Sequence, residues 1–501
     1  MNVHAAAETR APLSQARIAD DVFEDMRRAN LARWPTGAGV DFAAAVARQK
    51  SLPPHKRLGW VMRKATEEGR CLVQPRGGFG TFELQRELMQ ALDREGLADI
   101  VPTTTDSYTR NEQFHLAQNG IEESQRLGRS LLNGYPIVNY GVEKAAALID
   151  AIDKPAIMLT GTSFPRLTGE VAFAGGYSGY LGSGLAYTSS YTKELTLEDG
   201  IRNYQYLDRL SAMYHEHGVE LHRRQPGFLT GTNIPPSIAI ITCVLDLLLA
   251  AAQGVKNYGL EMGETLHLVQ DAAAVKACRD LSQEYLLRSG YRDVFTPVTL
   301  LHWMGAWPQD EAQSAALVGY GGTLAAIAGA ASVTTKTTHE AFGIPTPEVN
   351  AAGLRMTRMA VYLARHIRLD AMPQFREEVD LIKREARPVL DKVLEMGDGD
   401  AARGTVNAAA AGVLDIPWSP NRCLKSRVMP ARDVDGCIRI LDPGDMPFPR
   451  DVLEIHEERL RKRAERERVP YGPDLAVASV FEISEPLAAL HTDRWLERAV
   501  R

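Results

Sequence analysis

Three cations stand where strand-like runs give out. Arg76 follows Val73-Gln74-Pro75, Arg110 closes Thr103–Arg110, and Lys336 sits in Thr334–Glu340. Two guanidinium groups above a sheet bind a carboxylate through paired hydrogen bonds. Each arginine has a second use, an ion pair with a carboxylate on the rim, and the sequence leaves both open. Arg76 has the most informative surroundings. Cys71-Leu72-Val73-Gln74 reads as a short buried strand, which Pro75 ends by withholding a ladder donor. Gly77, Gly78 and Gly80 come next. They are expected to turn the chain sharply and to let it lie against a ligand. In a parallel α/β barrel, chemistry collects at strand ends of this kind.

Other candidates are less specific. Gly175–Gly184 holds five glycines, which means a phosphate cradle or close backbone packing. No Gly-Lys-Ser/Thr follows it, so the phosphate reading is the weaker one. Tyr187 and Tyr191 come after it, as pocket wall or as core aromatics. His302–Trp307 closes a strand, and Met304 and Trp307 offer apolar surface for a flat or bulky ligand. His215-Glu216-His217 has a spacing that turns its two imidazoles to different helix faces, so solvated surface is expected and not a metal site. No Ser-His-Asp order or nucleophile elbow is present.

The elements that must position these groups are legible in the alternation. From about residue 57 to 345, apolar runs alternate with helix-period segments. The strand-like runs are Asp99–Pro102, Ala156–Thr160, Val219–His222, Tyr258–Met262 and Val294–Leu301; the helical ones include Leu84–Leu92, Tyr204–His215 and Leu281–Leu287. Repeated βα units over this length predict a (β/α)8 TIM-type barrel, assigned to residues 56–396. Residues 1–55 read as a helical lead-in, with Val22–Met26 and Phe42–Val46 at helical spacing. A loop-rich, proline-rich stretch, 397–501, reads as a smaller C-terminal domain. Its charge run, Glu457–Arg468, alternates in sign and reads as a solvated helix face.

Composition narrows the class. A net charge of −6 with both signs interspersed gives no footprint for nucleic acid. Five scattered cysteines form no Cys-x-x-Cys pair, so reduced thiols in a cytoplasmic protein are expected. Met1–Ala5 lacks a basic region followed by an apolar core, so no signal peptide is expected. Ser237–Gly254 and Leu317–Val333 are the most apolar runs, and both read as buried barrel helices and not membrane spans.

Taken together, these segments resemble the large catalytic (epsilon) subunit of adenosylcobalamin-dependent glutamate mutase, also called methylaspartate mutase. The stretches that carry the resemblance include Trp34–Gly37, Gln74–Gly78, Asp106–Arg110, Gly128–Gly134, Val138–Gly141 and Leu229–Thr232. Further along they are Trp303–Gly305, Lys336-Thr337, His339–Ala341, Gly343–Thr346, Gly412–Pro417 and Met429–Asp433. They run in nearly constant register from about residue 30 to 470.

The resemblance implies a barrel closed by a separate small cobalamin-binding subunit carrying Asp-x-His-x-x-Gly, a signature this chain lacks. It implies a homodimer of this chain within a heterotetramer, and adenosylcobalamin shared between the two kinds of subunit. It implies a small carboxylate substrate whose carbon skeleton is rearranged by a radical. By match of motif, Arg76 and Arg110 look like two of the family's three carboxylate-binding arginines, and Tyr187 and Tyr191 like its substrate-side tyrosines, Tyr191 in a catalytic role. Gly78, Asn133, Met304, Trp307, Lys336, Glu340 and Ile344 fall where the family meets the adenosyl group, with Lys336 and Glu340 on the ribose. Ser190 stands where the family has a proline against the cofactor.

Two departures bear on the substrate. The family's third arginine, followed by histidine, corresponds to Leu159-Thr160, and its amino-group glutamate corresponds to Leu181. A charge pair exchanged for two leucines implies a pocket reshaped for an aliphatic group. The expectation is a mutase acting on a less polar carboxylic or amino acid than glutamate. Two alternatives stay open, a barrel lyase that works without cobalamin and a non-catalytic partner subunit.

Overall fold

In the computed structural model, residues 11–227 and 233–488 are described. Met1–Ala5 and the family-like stretch Leu229–Thr232 lie outside them. Eight strands form the barrel: β1 (Leu72–Gln74), β2 (Val101–Thr104), β3 (Ala156–Leu159), β4 (Gly179–Leu181), β5 (His222–Gln225), β6 (Tyr258–Gly263), β7 (Val298–Leu301) and β8 (Ser332–Thr334). Every ladder is parallel, and the order is β1-β8-β7-β6-β5-β4-β3-β2. Helices follow the strands and cover the sheet, which makes the chain a (β/α)8 TIM-type barrel.

The barrel closes at a seam between β1 and β2 without a regular ladder. Val101 N and Thr105 N donate towards β3, to Pro155 O at 3.0 Å and Leu159 O at 3.1 Å. Pro102, one residue on from Val101, therefore turns its missing donor to the seam, where none is needed. Irregular bonds bridge the gap instead. Asp99 N donates to Val73 O at 3.0 Å, the Asp99 carboxylate accepts Val73 N at 2.9 Å, and Thr104 N donates to Gly77 O at 2.9 Å.

Several boundaries differ from the sequence reading. The fifth strand is not Val219–His222 but His222–Gln225, with Arg223 and Arg224 fully buried. Specific partners override the rule that buried strands are apolar. Arg223 points out to the Asp208 carboxylate at 2.8 Å and Tyr180 O at 2.7 Å, and Arg224 points in to Gln74 Oε1 at 3.1 Å. The apolar run Leu317–Val333 is not one helix. The helix Glu311–Ile327 ends, Gly329 turns at φ 64°, and β8 takes the remainder. The other run is the helix Pro236–Gln253, long and apolar enough to cross a membrane but 94% buried against this protein.

The glycines after Arg76 do not turn the chain through left-handed backbone: none of Gly77, Gly78 and Gly80 has positive φ. They bring backbones together. A Cβ at Gly78 would strike the Thr104 carbonyl across the seam, and one at Gly80 would lie 2.8 Å from Leu132 Cβ. Gly175–Gly184 serves the same end. Side chains at Gly179, Gly182 and Gly184 would strike Leu58, Tyr204 and the Gly200 carbonyl.

Outside the barrel, the helices Asp20–Leu31 and Phe42–Ser51 stand where the sequence reading has them; the ion pair Arg27–Glu170 at 2.8 Å ties on the first, and Gln49 Nε2, donating to Phe173 O at 2.8 Å, the second. The strands β9 (Met429–Arg432) and β10 (Ile438–Asp442) pair antiparallel, and Arg432 Nη2 donates to Thr265 O of the barrel at 2.6 Å. The charge run lies on the helix Arg450–Glu467. Glu457–Arg461 and Glu458–Lys462 are solvated pairs, as expected. Arg463 is buried instead, donating to Arg432 O and Ser479 Oγ.

Candidate active site

A cavity opens at the C-terminal ends of the barrel strands. Arg76, Arg110, Leu159, Thr160, Leu181, Tyr187 and Tyr191 all line it. Thr104, Gly161, Pro226, Glu261, Leu301 and Thr334 complete its wall.

Each group is placed by local chemistry. Arg110 ends the short helix Ser107–Arg110, which starts at Asp106 because its Oδ1 accepts Tyr108 N at 2.9 Å and Thr109 N at 3.0 Å. Asn133 Oδ1 accepts Ser107 N at 3.0 Å and steadies the same turn. Arg110 Nε then donates to Thr105 O at 2.9 Å, which aims the rest of the guanidinium at the cavity. Arg76 has Met304 Sδ at 3.4 Å from Nη1. Among the described residues, neither arginine has a carboxylate within ion-pair reach. Burial, and then the charge on Arg76, hold the Arg110 pKa below its ordinary value. Two like charges are thus kept together without an ion-pair partner among the described residues.

Tyr187 and Tyr191 lie four residues apart on the helix Gly184–Tyr191 and so share a face. Their rings are 5.4 Å apart at 33°. Tyr187 is buried and its pKa is raised well above the usual value, burial first. Tyr191 is 52% exposed and stands at the rim. Ser183 caps this helix, accepting Ala186 N at 2.7 Å while donating to Asp246.

Leu159 and Leu181 are register partners at the ends of β3 and β4, and both are nearly buried. Thr160 Oγ1 donates to Leu181 O at 3.0 Å, so its hydroxyl already has a partner.

The residues matched to the adenosyl group spread over the surrounding loops. Lys336 is buried and ion-paired with Glu340, which also accepts Thr337 N at 3.3 Å. Burial, then Arg76, hold the Lys336 pKa below its ordinary value. Ser190 Oγ is buried without a hydrogen-bond partner. Gly78 lies at the β1–β2 seam, and Ile344 is half exposed. Trp307 is buried against Trp303 and Val318, with Nε1 donating to Trp303 O at 3.2 Å, so most of its ring is already covered. His302 does not line the cavity. It is buried, its Nδ1 accepts Lys336 N at 3.3 Å, and burial with Lys336 nearby pushes its pKa down to about 3. The imidazole is therefore neutral and carries its proton on Nε2. Among the described residues no cluster of three or more His, Cys, Asp or Glu could hold a metal ion, and Glu216 pairs with Arg17 and Arg209.

Sequence reasoning missed Glu261 and Glu264. Glu261 lines the cavity from β6, and Glu264 lies beside His302, where its Oε2 accepts Trp303 N at 3.0 Å. The available signal was a charge inside an apolar run, Tyr258-Gly259-Leu260-Glu261-Met262.

A closed parallel barrel with two unneutralised arginines at its C-terminal mouth is a barrel suited to a small anionic ligand. More narrowly, the chain belongs to the methylaspartate mutase E chain family, whose model matches residues 52–487. Relatives from several organisms are named glutamate mutase epsilon subunit. The one from Treponema denticola is 40% identical over 93% of this chain and 96% of its own length. The one from Desulfitobacterium hafniense is 40% identical over 94% and 98%. The one from Haloarcula marismortui is 42% identical over 90% and 91%. The chain is accordingly an isomerase subunit of the methylaspartate mutase type.

Proposed function

We propose that the chain is the substrate-holding subunit of an adenosylcobalamin-dependent carbon-skeleton mutase whose substrate is less polar than glutamate. The observation that carries the altered substrate is the leucine pair. Leu159 and Leu181 sit side by side in the cavity that also receives Arg76 and Arg110. A substrate charge facing that pair is left unmatched, which costs roughly 3–5 kcal/mol, a hundredfold or more in affinity. A carboxylate on the arginines and an aliphatic portion on the leucines fit the wall as it stands.

The cofactor reading is supported by the chemistry of the mouth. Lys336 and Glu340 present a charged pair suited to ribose hydroxyls, and the unpartnered Ser190 hydroxyl awaits a polar neighbour. Gly78, Asn133, Met304, Trp307 and Ile344 would flank the adenosyl group. When bound, adenosylcobalamin supplies a carbon radical through homolysis of its cobalt–carbon bond. This chain's share is to orient and to shield. Arg76 and Arg110 fix the carboxylate, Tyr187 and Tyr191 roof the cavity, and the leucines exclude water from the reacting carbon. A small separate subunit with Asp-x-His-x-x-Gly would hold the corrin, in a heterotetramer built on a dimer of this chain.

The test is to combine the purified pair with adenosylcobalamin and screen carboxylic and amino acids. Cob(II)alamin formation that depends on one aliphatic acid supports the reading. Steady conversion of glutamate to methylaspartate at ordinary rates would sink the altered substrate. Tight cobalamin binding with no cob(II)alamin from any candidate would favour a non-catalytic subunit.

A further inference from the structure

The cavity has two cations to receive a carboxylate and two leucines to receive an aliphatic chain, but its wall is not complete with these. Among the described residues one carboxylate lines it, Glu261, from the β6 side. Glu261 is 2% exposed and sits in the middle of a strand whose neighbours Leu260 and Met262 are buried core. Burying a carboxylate there is costly unless its oxygens are engaged.

Its engagement is partial. Oε2 accepts Thr334 Oγ1 at 2.9 Å and lies 3.8 Å from Arg224 Nη1. Arg224 itself spends Nη1 on Gln74 Oε1 at 3.1 Å, leaving Nη2 without a partner. Oε1 has one long contact, Gly227 N at 3.4 Å. A carboxylate accepts about four hydrogen bonds, so Glu261 keeps spare capacity on the oxygen that Arg224 does not approach. Arg224 and Thr334 hold the carboxylate from below, and the cavity is the remaining side.

We propose that Glu261 is a specificity-determining residue that receives the ammonium group of an aliphatic α-amino acid. The carboxylate that the family carries on β4, here Leu181, is thereby replaced by one on β6. This rests on the substrate reading above and narrows it. Of the less polar acids, those with an α-amino group are selected: the carboxylate meets Arg76 and Arg110, the ammonium meets Glu261, and the side chain meets Leu159 and Leu181. A charge-assisted ammonium–carboxylate contact in so buried a place discriminates strongly against a ligand that lacks it.

Two probes that differ only in the amino group, L-norvaline and pentanoate, test this by isothermal titration calorimetry on the full chain. The wild-type chain should bind norvaline about tenfold or more tightly than pentanoate. In Glu261→Gln the preference should vanish while pentanoate affinity changes less than about threefold, and Glu261→Asp should restore part of it. Equal weakening of both ligands in Glu261→Gln would mean a structural role and overturn the proposal. So would tighter binding of pentanoate by the wild-type chain, or no binding of norvaline at all. The wild-type pair of titrations decides the preference even if a variant fails to fold. Cob(II)alamin formation with the cobalamin-binding subunit reads the mutase question separately. Glu261-dependent norvaline binding without cob(II)alamin leaves the residue's role intact and removes the radical chemistry. Cob(II)alamin formed only with acids lacking an amino group does the reverse.

Discussion

Leu159 and Leu181 are directly paired across β3 and β4, and both side chains face the cavity entered by Arg76 and Arg110. Adjacent strand ends therefore put two apolar groups where a buried charge pair would otherwise meet a polar substrate. The exchange is self-consistent. One leucine beside a surviving charge would leave that charge without a partner, whereas two leucines leave none.

Leu159→Arg with Leu181→Glu should consequently act as a unit. The double variant is expected to bind glutamate about tenfold or more tightly than the wild-type chain. Either single variant should lose about 1–3 kcal/mol of stability by burying an unmatched charge. Calorimetric titration with glutamate and urea unfolding of the three variants check both statements. Additive single effects would count against coupling.

Arg110 is held near Arg76, and among the described residues neither has a carboxylate within ion-pair reach. Arg110→Met should therefore remove carboxylate binding, at least about a hundredfold in affinity, while leaving the thermal midpoint unchanged or raised. A large fall in midpoint would show that the arginine holds the fold and does not wait for a ligand. Differential scanning calorimetry beside a binding titration reads both.

Asp246 lies in the apolar helix Pro236–Gln253, and burial raises its pKa to about 7. An acid with a raised folded-state pKa contributes stability below its unfolded pKa and loses it as pH rises through the folded value. The window is thus from about pH 4 to about pH 7, with a loss on the order of 4 kcal/mol across it. Asp246→Asn should flatten this slope and leave the variant more stable than wild type at pH 8. Because Asp246 accepts from Ser183, the cap of the Tyr187–Tyr191 helix, the slope should be followed by urea unfolding together with substrate affinity.

Glu264 Oε1 and His302 Nε2 each crowd the place where a Cβ on Gly321 would stand, and neither atom has a hydrogen-bond partner. A methyl group there would strike both. Gly321→Ala should cost about 1–3 kcal/mol by overpacking. It should also weaken adenosylcobalamin retention by the reconstituted pair, because His302 holds the Lys336 backbone. Unfolding curves and a cobalamin-binding titration measure the two effects. Unchanged cobalamin retention would separate this pocket from the cofactor.

Much of this protein is determined by the sequence alone. The βα alternation specifies the barrel, because strand and helix periods are local properties of which side chains must be buried. Ordered motifs such as Gln74–Gly78 and Asp106–Arg110 carry the family, and Leu159 and Leu181 stand out against that pattern. Tertiary structure alone decided what each residue faces. Gly78 serves close approach across the β1–β2 seam and not a sharp turn, because the partner at that seam, Thr104, lies 26 residues away in the chain. β5 holds two arginines because Asp208, Gln74 and Glu261 come to it from other elements. Glu261 looks like a misplaced charge in a strand until closure of the barrel brings it to the wall shared with Arg76 and Arg110. The energy of a buried charge depends on partners that the chain brings from far away, and no local pattern encodes them.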